Sequence, residues 1–242
     1  MSSATPAVVA MTAFAELELG ARDGVPLADL VELLARTGLK ETTARSAIQR
    51  LRDRGTLEPA GPVRLTAHAR PEAHAIHRRA MSDSPFAADP GGWTLVSLSV
   101  ALGARGGARR RLGTALEYRA FADLGDGLWL TPRDVDVERL LARLGLAADE
   151  LDLHAFTATD PGLPTETIAA LWRLDERRVR HEETRSRLED ATRPPLARLL
   201  DAVELVRSDP WLPTGVLPAD DPAEASARAM RRDRDAWRSA AA

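Results

Sequence analysis

The sequence predicts an α+β protein in three consecutive parts, and three observations lead there. Two amphipathic helices joined at a glycine turn precede a short hairpin near the N-terminus. From Trp93 the hydrophobic pattern alternates between strand and helix spacing, and beyond Pro164 the chain reads as helix almost to its end. The parts so drawn are residues 1–82, 92–160 and 161–242.

In the first part, Val8, Val9, Met11, Thr12, Ala15 and Leu19 suit an opening helix. No lysine or arginine precedes this apolar run, so it is not read as a secretion signal. Pro26 to Thr37 sets Leu27, Leu30, Val31 and Leu34 at helical spacing, with proline where a first turn tolerates it, and ends in a turn at Gly38. In the next helix Ala44, Ala47, Ile48 and Leu51 share an inward stripe, while Thr42, Arg45, Ser46 and Gln49 point the other way. Thr56 to Pro59 and Pro62 to Thr66 then read as a hairpin turning at Gly61. Helix, glycine turn, helix and hairpin make a winged helix-turn-helix.

The second helix has the chemistry of a DNA reader. Between Lys40 and Arg54 it carries five cations against two anions, in a chain of formal net charge −3. Neutralised phosphates release counterions, so such a local excess favours a duplex backbone. Arg45 and Gln49 have the side chains that pair bidentately with guanine and adenine, and Thr42, Thr43 and Ser46 reach bases or phosphates. Lys40, Arg50, Arg52, Arg54 and, on the hairpin, Arg64 suit phosphate contacts. Residues 1–82 carry 11 basic and 9 acidic side chains, leaving −5 for the remainder, the asymmetry expected if only the first part meets DNA.

Thr66 to Ser82 reads as a linker helix carrying Arg70, Arg78 and Arg79; His68, His74 and His77 are expected to face solvent rather than a metal. Asp83 to Gly92 is a loop by composition. The middle part then gives a strand over Trp93 to Val100, a helix over Arg105 to Arg119, strands over Ala120 to Leu124 and Leu128 to Thr131 hinged at Asp126 and Gly127, a helix over Val137 to Gly145 and a strand over Leu151 to Thr157. That order is ferredoxin-like. Helices over Glu166 to Trp172, Asp175 to Ala191, Leu196 to Arg207 and Pro222 to Ala240 follow. The proline-rich stretch from Asp209 to Pro218 is read as structural, fixing the return of the last helix.

Composition narrows the function. The chain has no cysteine, which rules out disulfides and thiolate metal sites and suits a cytoplasmic protein. Lys40 is the sole lysine among 33 basic residues, so arginine abundance reflects coding bias and does not by itself signal nucleic acid. The apolar stretch from Trp93 to Gly103 is too short to span a bilayer, and no membrane partner is expected. There is no P-loop and no glycine-flanked nucleophilic serine. The expectation is a protein that is not an enzyme and that needs no cofactor or metal.

Three groups of residues, in order, carry a resemblance. They are Ala44-Arg45-Ser46-Ala47-Ile48-Gln49-Arg50-Leu51 followed by Gly55; Gly92-Trp93-Thr94-Leu95-Val96, Arg109-Arg110-Arg111 and Gly127-Leu128-Trp129-Leu130-Thr131-Pro132-Arg133; and Asp209-Pro210-Trp211-Leu212-Pro213 with Leu217-Pro218-Ala219-Asp220. Together they resemble the PaaX family of bacterial transcriptional regulators, repressors of phenylacetate degradation and related pathways, over nearly the whole chain. The resemblance implies a homodimer on a palindromic double-stranded operator, released by an acyl-CoA thioester such as phenylacetyl-CoA, and a middle domain similar to Cas2. In that setting Arg109, Arg110, Arg111 and Arg133 are candidates for the effector's phosphates, and Trp93 and Trp129 for its acyl group. The sequence departs from the family at Lys40, where a small polar cap is usual, in a wing without aromatic residues, and at Gly91-Gly92, where a charged residue is usual. A Cas2-type nuclease would need a carboxylate on the first middle strand, and Ser97 to Leu102 has none. The other reading is a ligand-binding or adaptor protein that uses the winged helix for protein contacts.

Overall fold

The computed structural model describes residues 24–36, 38–67, 69–89, 92–98 and 106–241. The helix expected from Val8 to Leu19 lies outside them. The chain divides into two compact units: Met1–Pro85 with Arg180–Arg207 and Pro222–Ala242, and Phe86–Val179 with Ser208–Asp221. Among the described residues no helix is long and apolar enough to cross a membrane.

In the first unit, α1 (Leu27–Ala35) starts directly after Pro26 and buries Leu30, Val31, Leu33 and Leu34. Gly38 then turns the chain at φ +86°. There a side chain would meet the following carbonyl, a strain of about 1–2 kcal/mol, which glycine avoids. Helix α2 (Glu41–Asp53) buries Ala44, Ala47, Ile48 and Leu51, the stripe read from periodicity, and its small alanines let α1 pack close. The hairpin follows: Glu58 N–H donates to Arg64 O at 2.9 Å and Thr66 N–H to Thr56 O at 3.0 Å. Leu57 pairs with Leu65, and Val63 pairs back with Val25 ahead of α1. Val25, Leu57, Val63 and Leu65 are all buried.

Helix α3 (Arg70–Ala80) carries Pro71 in its first turn and buries Ala73, His77 and Ala80. This corrects the histidine reading: His77 is 5% exposed and His74 half-buried, while His68 lies outside the described residues. At positions 73, 77 and 80 the spacing puts His77 on the helix's inward stripe between two alanines. Farther along, α8 (Leu174–Glu189) contributes its later turns to this unit, with α9 (Pro195–Ser208) up to Arg207 and α10 (Ala223–Ala241). His181 Nδ1 lies 2.9 Å from Ser226 Oγ, both buried. Arg198 meets Asp233 at 2.7 Å, and Arg234 meets Asp83 at 2.7 Å. The hydrogen bond and charge of Arg234 hold the Asp83 carboxyl below its usual range.

The second unit contains β1 (Trp93–Leu98), α4 (Gly106–Glu117), β2 (Ala122–Gly125), β3 (Leu128–Thr131), α5 (Val137–Leu144), α6 (Ala148–Leu151), β4 (Leu153–Ala158) and α7 (Thr165–Leu171). The sheet runs β2-β3-β1-β4 with every neighbouring pair antiparallel. The order of strands and long helices is the one read from hydrophobic spacing. The last strand starts at Leu153 rather than Leu151, because Ala148–Leu151 forms a helical turn that Asp152 ends at φ +46°. Between β2 and β3, Gly127 (φ +81°) accepts from Leu98 N–H at 2.9 Å. A Cβ there would lie 2.3 Å from Leu98 O, so the close approach of hairpin and strand requires glycine.

Register decides which side chains share a face. Val96 stands opposite Trp129, and Leu95 opposite Leu130 and Phe156. One face buries Val96, Leu98 and Leu153, with Trp129 packed at its margin, against Leu112 and Leu116 of α4 and Leu140 and Leu141 of α5. The other buries Trp93, Ala122 and Leu130 against Ile168, Trp172 and Leu212. Trp93 and Trp172 sit 5.5 Å apart, and Trp172 Nε1–H donates to Ala120 O at 2.8 Å.

Candidate nucleic-acid interface

With Ala44, Ala47, Ile48 and Leu51 turned inward, helical geometry sends Thr42, Arg45, Ser46, Gln49 and Arg50 to the solvent face of α2, and all five are exposed. Thr43 is half-buried at the margin. Arg45 Nε–H donates to Glu41 Oε1 at 2.8 Å, and Gln49 Nε2–H to Asp53 Oδ1 at 2.8 Å. Ser46 Oγ–H donates to Thr42 O at 2.8 Å, which occupies its hydroxyl proton on its own helix. Lys40 stands at the helix start in extended backbone with no capping bond from its side chain, in keeping with the departure noted there.

The cations expected on phosphates divide. Lys40, Arg50 and Arg54 are exposed, and none has a carboxylate partner among the described residues. Arg52 is half-buried, and its Nη2–H donates to Gly61 O at 3.0 Å, so it clasps the hairpin turn to α2. Arg64 is half-buried too, and its side chain lies over Gly24, where an added Cβ would come within 2.6 Å of Arg64 Cγ.

The effector residues do not converge. Strand alternation puts Trp93 and Trp129 on opposite faces of the sheet, which corrects the expectation that both line one acyl pocket. Arg109, Arg110 and Arg111 are exposed on α4 with no carboxylate partner among the described residues. Arg133 is 5% exposed, donates to Asp209 O and lies with its guanidinium 3.8 Å from the centre of the Trp211 ring. It is committed to the interior.

Arg133 belongs to a buried polar cluster that helical spacing did not announce. Arg177, 1% exposed, reaches Asp209 at 2.7 Å and also contacts Asp221. Asp209 Oδ1 accepts from Trp211 N–H at 2.7 Å, stabilising the turn in which Trp211 adopts φ +60°. The signal was there in Asp209-Pro210-Trp211, where a turn-forming aspartate and a proline precede a large aromatic. Among the described residues no group of three metal-ligating side chains forms.

The profile of the PaaX-like protein family matches residues 8–67, the stretch holding α1, α2 and the hairpin, which bears out the resemblance over that segment. A comparison with curated proteins gives no match. Among solved structures, the chain is similar to an uncharacterized protein from Mycobacterium tuberculosis, Rv0674, with a TM-score of 0.52 and 25% identity over 92% of this chain and 95% of that one.

Proposed function

We propose, from the PaaX-like character of residues 8–67, that the chain is a DNA-binding transcriptional regulator. The finer reading is a repressor of a catabolic or metabolic operon. Residues 1–82 act as a winged helix-turn-helix domain with its linker helix, α2 lies in the major groove, and residues 92–160 form a ferredoxin-like domain similar to Cas2. The observation that carries it is the outward face of α2, where Thr42, Arg45, Ser46 and Gln49 stand exposed above a packed apolar stripe and beside a clasped hairpin. Arg45 and Gln49 read bases, Thr42, Thr43 and Ser46 support them, and Lys40, Arg50 and Arg54 hold phosphates.

The protein works as a homodimer in this reading, because a two-fold pair of α2 helices matches half-sites about one helical turn apart. An aryl- or acyl-CoA thioester releases it, with Arg109, Arg110 and Arg111 supplying cations for the phosphates. Release requires that the thioester bind the DNA-incompetent state better than the competent one.

A gel-shift titration against the DNA upstream of its own gene tests this, with and without phenylacetyl-CoA and other thioesters. Arg45→Ala is expected to lose on the order of 1–3 kcal/mol of specific binding; unchanged affinity removes the assignment of α2. An adaptor that uses this helix for protein contacts would show neither a steep salt dependence nor a preference for operator over random DNA.

A further inference from the structure

The two side chains of α2 with base-reading chemistry are also the two that its carboxylates hold. Arg45 is paired with Glu41 and Gln49 with Asp53, each at 2.8 Å and each across one helical turn. Exposed Lys40, Arg50 and Arg54, the phosphate candidates, have no such partner among the described residues. We infer that Glu41 and Asp53 are positioning residues for base recognition, each fixing its neighbour in the rotamer that reads a base. The inference rests on the DNA-binding reading of α2.

Donor arithmetic supports it. A guanidinium has five N–H groups, and Glu41 takes the one on Nε, leaving the two terminal nitrogens of Arg45. Those two nitrogens form the fork that meets O6 and N7 of guanine. The Gln49 amide has two N–H groups and a carbonyl oxygen; Asp53 takes one N–H and leaves the other beside Oε1. A donor next to an acceptor is what N7 and the N6 amino group of adenine require. Each carboxylate therefore occupies a group that base reading does not need, and each orders a flexible side chain before DNA arrives.

The two anions also act on the wrong partner. Glu41 and Asp53 are exposed on a helix that faces a polyanion, so they oppose attraction to any duplex whose bases give Arg45 and Gln49 nothing in return. Specificity is then sharpened from both sides, by preorganised readers and by weakened indiscriminate binding.

The test is selection of a random duplex library by the full-length protein and by the isosteric variants Glu41→Gln and Asp53→Asn, followed by affinity measurements base by base. The wild type is expected to enrich a defined sequence. Each variant is expected to lose discrimination by about fivefold or more at one position, a different one for each, while binding random duplex more tightly. Asp53→Glu, which keeps the carboxylate, is expected to restore the position lost in Asp53→Asn. A general loss of helix stability would lower affinity at all positions alike and would not sharpen or blur a single base. The inference fails if both variants enrich the wild-type sequence with the same discrimination at every position. Failure of the wild type to enrich any sequence overturns the DNA-binding reading itself, and with it this inference.

Discussion

Arg177 Nε–H donates to Asp209 Oδ2 at 2.7 Å with both side chains sealed from solvent, while its Nη1 contacts Asp221. Two carboxylates around one guanidinium tolerate burial only while the cation is present. Arg177→Met keeps much of the volume and strands the Asp209 carboxylate in the interior. It is expected to destabilise the second unit by about 3–5 kcal/mol. Adding Asp209→Asn to that variant should recover part of the loss, measured by denaturant unfolding followed through tryptophan fluorescence.

Arg52 offers a sharp choice between two roles. A phosphate contact and a clasp on Gly61 O both predict weaker DNA binding for Arg52→Met, but the salt dependence separates them. Loss of a phosphate contact lowers the slope of log affinity against log salt by about one, whereas loss of a clasp leaves the slope unchanged. The 3.0 Å bond to Gly61 O predicts the unchanged slope, with a small stability change of about 1 kcal/mol.

Asp201 on α9 predicts an acid-range signature. Burial raises its pKa above the ordinary 3.8, against the pull of Arg193 at 2.5 Å and Arg187 at 3.5 Å. The folded state therefore holds this proton more tightly than the unfolded chain does. Its contribution to stability is greatest below pH 3.8 and declines as pH climbs through the raised value. Asp201→Asn should remove that declining component from the profile of urea midpoint against pH. An unaltered profile would show that Asp201 does not titrate as this environment dictates.

Two neighbouring glycines make a controlled comparison. Gly125 and Gly127 both have left-handed φ, +88° and +81°, but an added Cβ meets nothing at Gly125 and meets Leu98 O at 2.3 Å at Gly127. Gly125→Ala should cost only the backbone strain, about 1–2 kcal/mol. Gly127→Ala should cost more, because the β2–β3 turn must also move off β1. Equal unfolding midpoints for the two variants would exclude that role for the close approach.

How much of this was legible in the chain depended on how local the cause was. The face of α2 followed from the positions of Ala44, Ala47, Ile48 and Leu51, since helical spacing alone decides it. Leu128–Thr131 emerged with the bounds read from sequence, because Gly127 and Pro132 punctuate it. The separation of Trp93 from Trp129 depends on the pairing of Val96 with Trp129 across two strands, a long-range register that no local pattern encodes. The buried stripe of α8 escaped for another reason. Arg177, His181 and Thr184 are polar, so no apolar spacing marks these positions as the buried ones. The pairing of Arg45 with Glu41 was available from four-residue spacing, but spacing does not say that a bond forms.

The interleaving of the two units along the chain sets a timetable for the nascent protein. The second unit has all its residues once Asp221 is made, whereas the first also needs Pro222–Ala242, where Arg231 and Arg234 bind back to Asp83. Domains are usually completed in the order in which they are translated. Here that order is reversed: the unit that holds α1 and α2 has all its residues only after the other unit has all of its own.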